Sequence, residues 1–430
     1  MRLYPDAPVV ASRSISPIRH RIDARVRVPA SKSIANRELI LSALARGPSE
    51  VDVGGMDPGD DVRAMQDALA ALGYRVDGRA SGVVRVSGGT GSTADVSVDA
   101  REAGTVARFV TALAATRPGR TTIDGSARMR ERPITALARA LRDLGAQVDG
   151  DRFPLTVTGP LRGGSVEVPG HESSQFASAL LLVGAATEHG LELRVPGSIV
   201  SAPFVELTTA VLEDRGVKVE RPAANVYRIA PQRVKARRVT VAGDATAASY
   251  PAAAAAILGG RVTIENIDTH RRPGGQGDIR CFDILARMGC SVSPGSGGIT
   301  VRRGGALYGI RENVRDISDT FPTLAVVAAC ADGRSEILGI GHTRGQESDR
   351  IAAVARGLRA LGGQATEYAD GIAIDPAPLR GGTVDAAGDH RIAMAFAILG
   401  LVVPGVTIDG AETVSKSFPG FFEMVRGLGH

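Results

Sequence analysis

Seven short stretches of this chain hold more charge, hydroxyl and glycine than packing alone calls for. Ser31-Lys32-Ser33 and Arg37 sit at the entry to an Ala/Leu-rich helical segment. There a serine can cap the helix, and the free N–H groups of its first turn attract anions. Gly104 and Arg108 mark a second such entry, and His171-Glu172-Ser173-Ser174-Gln175 a third, rich in donors suited to phosphate oxygens. Arg128, Arg130 and Arg132 precede Pro133, read as the start of a helix; guanidinium forks suit carboxylate and phosphate. Glu347 and Arg350 are spaced i, i+3, which on a helix places a carboxylate beside a cation. Gly388-Asp389-His390-Arg391 and Ser415-Lys416-Ser417-Phe418-Pro419 add further cations. The chemistry on offer is the gathering of small anions around a tunable carboxylate. Taken singly, each stretch reads more simply as a helix cap or a polar loop. The run Gly88–Gly91 lacks the lysine of a phosphate-binding P-loop and reads as a turn.

Composition narrows the partners. Net charge is +5, with basic residues scattered along the chain, no Trp and 4% aromatics. Nucleic-acid binding calls for a basic stripe with stacking aromatics, and neither is present. A pocket for small acidic molecules fits better. Cys281, Cys290 and Cys330 are odd in number and lack metal-ligand spacing, so no metal site is expected and the cytoplasm is the expected compartment. No apolar run is long enough to span a bilayer. The first 25 residues carry arginines but no apolar stretch, unlike a secretory signal.

The elements that must position these residues repeat. Leu-x-x-(Leu/Arg/Met)-Gly-x-x-(Val/Ala) occurs at Leu69–Val76, Leu141–Val148, Leu212–Val219, Leu285–Val292 and Leu358–Ala365, with a truncated sixth copy from Val425. The glycines fall at 73, 145, 216, 289, 362 and 429, at spacings of 72, 71, 73, 73 and 67. In each copy apolar residues line one helix face, and Gly supplies the left-handed turn into the next strand. A second Ala/Leu-rich helix lies upstream of most copies. The unit is therefore strand–helix–strand–helix–strand–strand, and six of them make two lobes, with the chain crossing near residues 241–244. An open solenoid is disfavoured because neither end shows a polar capping repeat.

In this order the segments resemble the enolpyruvyl transferase family. The resemblance runs from about Val28 to Gly429 and rests on nine motifs: Ser31–Arg37, Ala103–Arg108, Arg128–Pro133, Ser173–Gln175, Gln276–Asp278, Asp319–Thr320, Glu347–Arg350, Asp389–Arg391 and Ser415–Pro419. It implies an α/β fold of two lobes forming an inverse α/β barrel, each lobe of three βαβαββ units, with the active site in the cleft between them. Residues 31–242 would form one lobe, and residues 1–30 with 243–430 the other.

The activity implied is transfer of the enolpyruvyl group of phosphoenolpyruvate to the 5-hydroxyl of shikimate 3-phosphate, by addition and elimination, in a monomer without cofactor, nucleic-acid or membrane partner. By motif position Lys32, Gly104, Arg128, Gln175, Arg350, Arg391 and Lys416 would bind the donor. Ser33, Arg37, Ser173, Ser174, Gln175, Ser201, Asp319 and Gln346 would bind the acceptor. Asp319 would be the base toward the hydroxyl, and Glu347 with Lys32 the proton-transfer pair.

Departures from the family pattern gather on the acceptor side. Gln346 stands where Lys is common, Ala202 where Lys or Arg is frequent, Phe204 for Tyr, Glu102 for Asn and Phe109 for Pro. A relative acting on another alcohol, such as a nucleotide or sugar phosphate, is the alternative. The related UDP-N-acetylglucosamine transferase is set apart because the loop Ala127–Pro133 holds no Cys. A non-enzymatic anion- or RNA-binding repeat scaffold is the further alternative.

Overall fold

The computed structural model describes residues 11–78, 82–270, 273–295 and 297–429. It is a mixed α/β structure of small sheets and helices with two buried cores. One core draws on residues from Ala30 to Val241. The other joins Ile15, Ile22 and Val28 to residues from Ala247 to Leu428.

The sheets share one connectivity. Strand Val96–Asp99 leads into helix Gly104–Ala115 and then strand Arg120–Asp124, paired parallel to the first. Helix Thr135–Asp143 follows, then the hairpin strands Gln147–Asp149 and Leu155–Thr158, the second of which pairs antiparallel with Arg120–Asp124. The sets beginning at Gly164–Glu167 and at Arg311–Asn313 repeat this order.

Two sets take their outer strand from a distant part of the chain. Strand Ile22–Val26 pairs parallel with Gly260–Ile264, and Arg238–Thr240 pairs parallel with Pro48–Asp52. The chain therefore passes between the cores twice, and the passages touch. Ala30 bridges Gly243, the Ser31 N–H donates to the Ala242 carbonyl, and the Asp244 N–H donates to that of Pro29. The sheet of Gly382–Asp385 and Val406–Asp409 has three strands among the described residues. The third is Arg13–Ser14, antiparallel to Val406–Asp409.

Local chemistry explains the elements. Gly73, Gly145, Gly216, Gly289 and Gly362 all have positive φ, between 77° and 104°, as a turn from helix into strand requires. Gly429, in the truncated sixth copy, does not. Helices Lys32–Leu44, Gly104–Ala115 and Ser174–Gly184 are buried on nearly every side and pack on one another. Helices Ala245–Leu258, Phe321–Ala328 and His390–Leu399 do the same in the other core. A helix buried all round is mostly apolar all round, which is why these segments are rich in Ala, Leu and Val, and the charges that helix Lys32–Leu44 buries are paired, Arg37 with Thr208 and Glu38 with Arg215.

Candidate active site

The central helices bring their N-termini to one place. A pocket between the two cores is lined by Lys32 and Ser33, Gly104 and Thr105, and Ser174 and Gln175, all in first helical turns, with Asp319, Glu347, Arg350 and Arg391 opposite. N-terminal N–H groups and side-chain cations thus face the same cavity of about 110 Å³, an anion-binding arrangement. Among the described residues no group of His, Cys, Asp or Glu is arranged to hold a metal ion.

Arg350 is the hub. It is 1% exposed and sends Nε to Asp389 (2.7 Å), Nη1 to Asp319 (2.9 Å) and Nη2 to Glu347 (2.6 Å), with Gln346 Oε1 also on Nη1. All but one of its N–H donors are thereby engaged. Arg391 holds the other Asp319 oxygen at 2.7 Å. Burial pushes the Asp319 carboxyl up, but Arg391 and Arg350 outweigh it and hold it below the usual carboxylate range. Burial likewise opposes ionisation of Glu347. Arg350, then Arg132 at 4.0 Å and Lys416 at 3.9 Å, hold it well below its ordinary value.

Two lysines meet on a buried carboxylate. Asp61 takes Lys32 Nζ at 2.7 Å and Lys416 Nζ at 3.2 Å, and these cations overcome burial to keep it ionised. Lys416 Nζ also donates to the Glu102 carbonyl at 2.7 Å, which ties one core to the other. Burial pushes the Glu102 carboxyl up against the pull of Lys416. An added Cβ at Gly104 would lie 2.8 Å from Arg132 Nη2 and 3.0 Å from Gln175 Oε1, so a side chain there would displace these two pocket side chains.

Of the residues expected from sequence, Lys32, Ser33, Arg37, Gly104, Ser173, Ser174, Gln175, Ser201, Asp319, Gln346, Glu347, Arg350 and Arg391 line this one pocket. Arg128 and Lys416 lie at its edge. Arg128 Nη2 donates to the Gln346 carbonyl at 2.8 Å, and its Nε reaches the Glu347 carbonyl at 3.1 Å. Arg37 is buried between Phe109 and Phe204, bonded to Thr208 Oγ1, Ser178 Oγ and the carbonyls of Ser33 and Phe204. Ser201 has a φ of 51°, a costly conformation for serine, and sits 3.4 Å from Ser318 Oγ.

Three local readings change. Glu347 is not on a helix with Arg350: that helix starts at Arg350, because the Asp349 carboxylate caps it through the Ala352 N–H. Glu347 lies in the turn before, still against Arg350. Pro133 does not start the next helix, which begins at Thr135; Arg128 and Arg130 lie on a short helix, Ala127–Glu131, capped by Ser126. At the first entry the cap residue is Ser31, but its hydroxyl makes no capping bond.

Asp61, Arg132, His342 and Asp389 were not assigned to the site from sequence. Asp60-Asp61 opens a helix and reads as an ordinary acidic first turn. Asp389 is wholly buried as the cap of helix His390–Leu399, yet it also receives Arg350 and Ser348. His390 beside it is wholly buried, and burial, with Arg391 and Lys32 nearby, holds it neutral far below its usual value.

Known proteins resemble this chain along nearly its whole length. The chain is 39% identical to 3-phosphoshikimate 1-carboxyvinyltransferase of Methanothermobacter thermautotrophicus, over 95% of this chain and 96% of that one. It is 40% identical to the enzyme of that name from Thermococcus kodakarensis, over 97% and 99%. A solved EPSP synthase from Acinetobacter baumannii superposes with a TM-score of 0.79 at 28% identity, covering 97% of this chain and 98% of that chain. Residues 17–425 match the family described as EPSP synthase (3-phosphoshikimate 1-carboxyvinyltransferase). With a continuous match over nearly all its length and a pocket of clustered cations and carboxylates, this chain belongs to the EPSP synthase family.

Proposed function

We propose that the chain transfers the enolpyruvyl group of phosphoenolpyruvate to the 5-hydroxyl of shikimate 3-phosphate in this pocket, releasing phosphate. The observation that carries the reading is the placement of two carboxylates, Asp319 and Glu347, on the two terminal nitrogens of Arg350 within a cation-lined cavity. Lys32, Arg128, Arg350, Arg391 and Lys416, with Gly104 and Gln175 beside them, bind the donor. Ser33, Arg37, Ser173, Ser174, Gln175, Ser201, Asp319 and Gln346 face the acceptor.

Glu347, with Lys32, delivers a proton to the methylene carbon of the donor while Asp319 takes the proton of the attacking hydroxyl. A bond forms between that oxygen and the adjacent carbon, giving a tetrahedral intermediate. Glu347, left ionised by the first step, then takes a proton from the new methyl group as the C–O bond to phosphate breaks, which restores the enol ether, and Asp319 gives up its proton to the departing phosphate. An anionic donor explains how Glu347 becomes an acid. Its carboxylate and phosphate draw on the same cations that hold Glu347 ionised in the free enzyme, so its proton affinity rises on binding. The cations then stabilise the departing phosphate.

The architecture that serves this chemistry is an inverse α/β barrel. One lobe spans residues 31–242 and the other residues 1–30 with 243–430; the two buried cores and the twofold crossing support that division. The chain acts as a monomer in this reading. Three unpaired cysteines suit a cytoplasmic setting. The acceptor side keeps a second reading open: Gln346 turns its side chain to Arg350, leaving no lysine there for the acceptor phosphate. Mass analysis of products from phosphoenolpyruvate and shikimate 3-phosphate, beside a panel of nucleotide and sugar phosphates, separates the two. An enolpyruvyl adduct of shikimate 3-phosphate alone is expected; preference for a panel member would overturn the acceptor assignment.

A further inference from the structure

One motif has no role in the chemistry above. Asp278 ends the Gln276–Asp278 motif and does not line the pocket. It is 4% exposed, on the turn Gly277–Arg280, which packs against the turn Arg315–Thr320 that carries Asp319. Thr246 donates to Oδ2, and Oδ1 has no hydrogen-bond partner. The Nε of Arg391 is also buried without a partner, while its Nη2 holds Asp319 at 2.7 Å. A buried carboxyl with an unsatisfied oxygen, beside the arginine that restrains the proposed base, is costly unless it serves a purpose.

We propose that Asp278 is a positioning residue: it competes with Asp319 for the field of Arg391 and so sets how readily Asp319 accepts the hydroxyl proton. This rests on Asp319 being the base. The groups that act on Asp278 are Asp319 on the neighbouring turn, Asp244 and Thr246 at the start of helix Ala245–Leu258, and Cys281 on the helix that follows. Arg391 lies on His390–Leu399, and Arg280 on the same turn is engaged by Asp316. Burial, then repulsion from Asp319, pushes the Asp278 carboxyl up to about 7, against the pull of Thr246 and Arg391. Below that pH Asp278 is neutral and Arg391 serves Asp319 alone, which makes Asp319 a weak base. Above it, the second negative charge strengthens Asp319.

The test is the pH profile of kcat and of both KM values for the wild type and Asp278→Asn, at saturating substrates. The wild type should show kcat rising through about pH 7. The variant should lose that limb and fall about three- to ten-fold at higher pH, with both KM values unchanged, as base strength without contact dictates. An unaltered limb in the variant would overturn the proposal. If the variant does not fold, Thr246→Val removes the donor to Asp278 and should move the limb to higher pH; an unmoved limb is equally fatal. The reading of Asp319 as base is separated by infrared titration of the Asp278 carboxyl in the free protein. Asp319→Asn should lower that titration by about one pH unit whatever the acceptor, and no change would show that the two carboxyls are not coupled.

Discussion

Asp319, Glu347 and Asp389 crowd around two arginines, and the arrangement is stable only while the charges balance. Glu347 and Asp319 both have lowered folded-state pKa values, so each contributes stability that is present above the unfolded carboxylate value and lost as pH falls through its folded value. Glu347→Gln should therefore lower the melting temperature at neutral pH, with the gap to the wild type closing below about pH 4; thermal melts across that range measure it. The same substitution should leave donor affinity nearly intact while cutting turnover by about 10²-fold or more, because it removes a proton donor and keeps the shape. Near-normal turnover would remove Glu347 from the reaction. At Gly104 the prediction is steric: Gly104→Ala pushes against Arg132 and Gln175, so KM for phosphoenolpyruvate should rise more than kcat falls, in steady-state kinetics.

At the scale of elements, Asn266 adds to the direct contacts between the two passages by bonding to both. Asn266 Oδ1 accepts from the Val28 N–H at 3.0 Å, its Nδ2 donates to the Val28 carbonyl at 2.7 Å, and its own carbonyl takes the Gly243 N–H at 2.7 Å. Asn266→Ala strips both partners from a buried backbone segment and should cost about 1–3 kcal/mol in denaturant unfolding. A change below a few tenths would show that water replaces the amide. Repeated helix ends were legible in the sequence because Leu spacing and a glycine turn are local signals. The residues that leave and rejoin the helices were less so. Glu347 looks helical by spacing, but the Asp349 cap two residues later starts the helix after it. Strands Ile22–Val26 and Arg238–Thr240 pair across more than 180 residues, and the partner of Arg13–Ser14 lies nearly 400 residues away. No local pattern reports such pairings. Asp61 escaped notice for a related reason: an acidic first turn is the commonest sight on a helix, and only its depth between Lys32 and Lys416 marks it out.

Across the whole molecule, the two cores touch through the site itself. Arg128 reaches the carbonyls of Gln346 and Glu347, Lys416 that of Glu102, Ser415 the Asp60 carboxylate and Arg315 the hydroxyl of Ser198. Substrates that bridge the same cations should tighten this closure. Binding of shikimate 3-phosphate at 100 times its Kd should raise unfolding free energy by about 2.7 kcal/mol, read as an upward shift in melting temperature; an unshifted melt would deny binding. The decisive measurement is phosphate release from phosphoenolpyruvate by the purified protein, with and without shikimate 3-phosphate. Release should be fast with the acceptor and near background without it. Release that ignores shikimate 3-phosphate, or fails with every acceptor offered, would contradict the account.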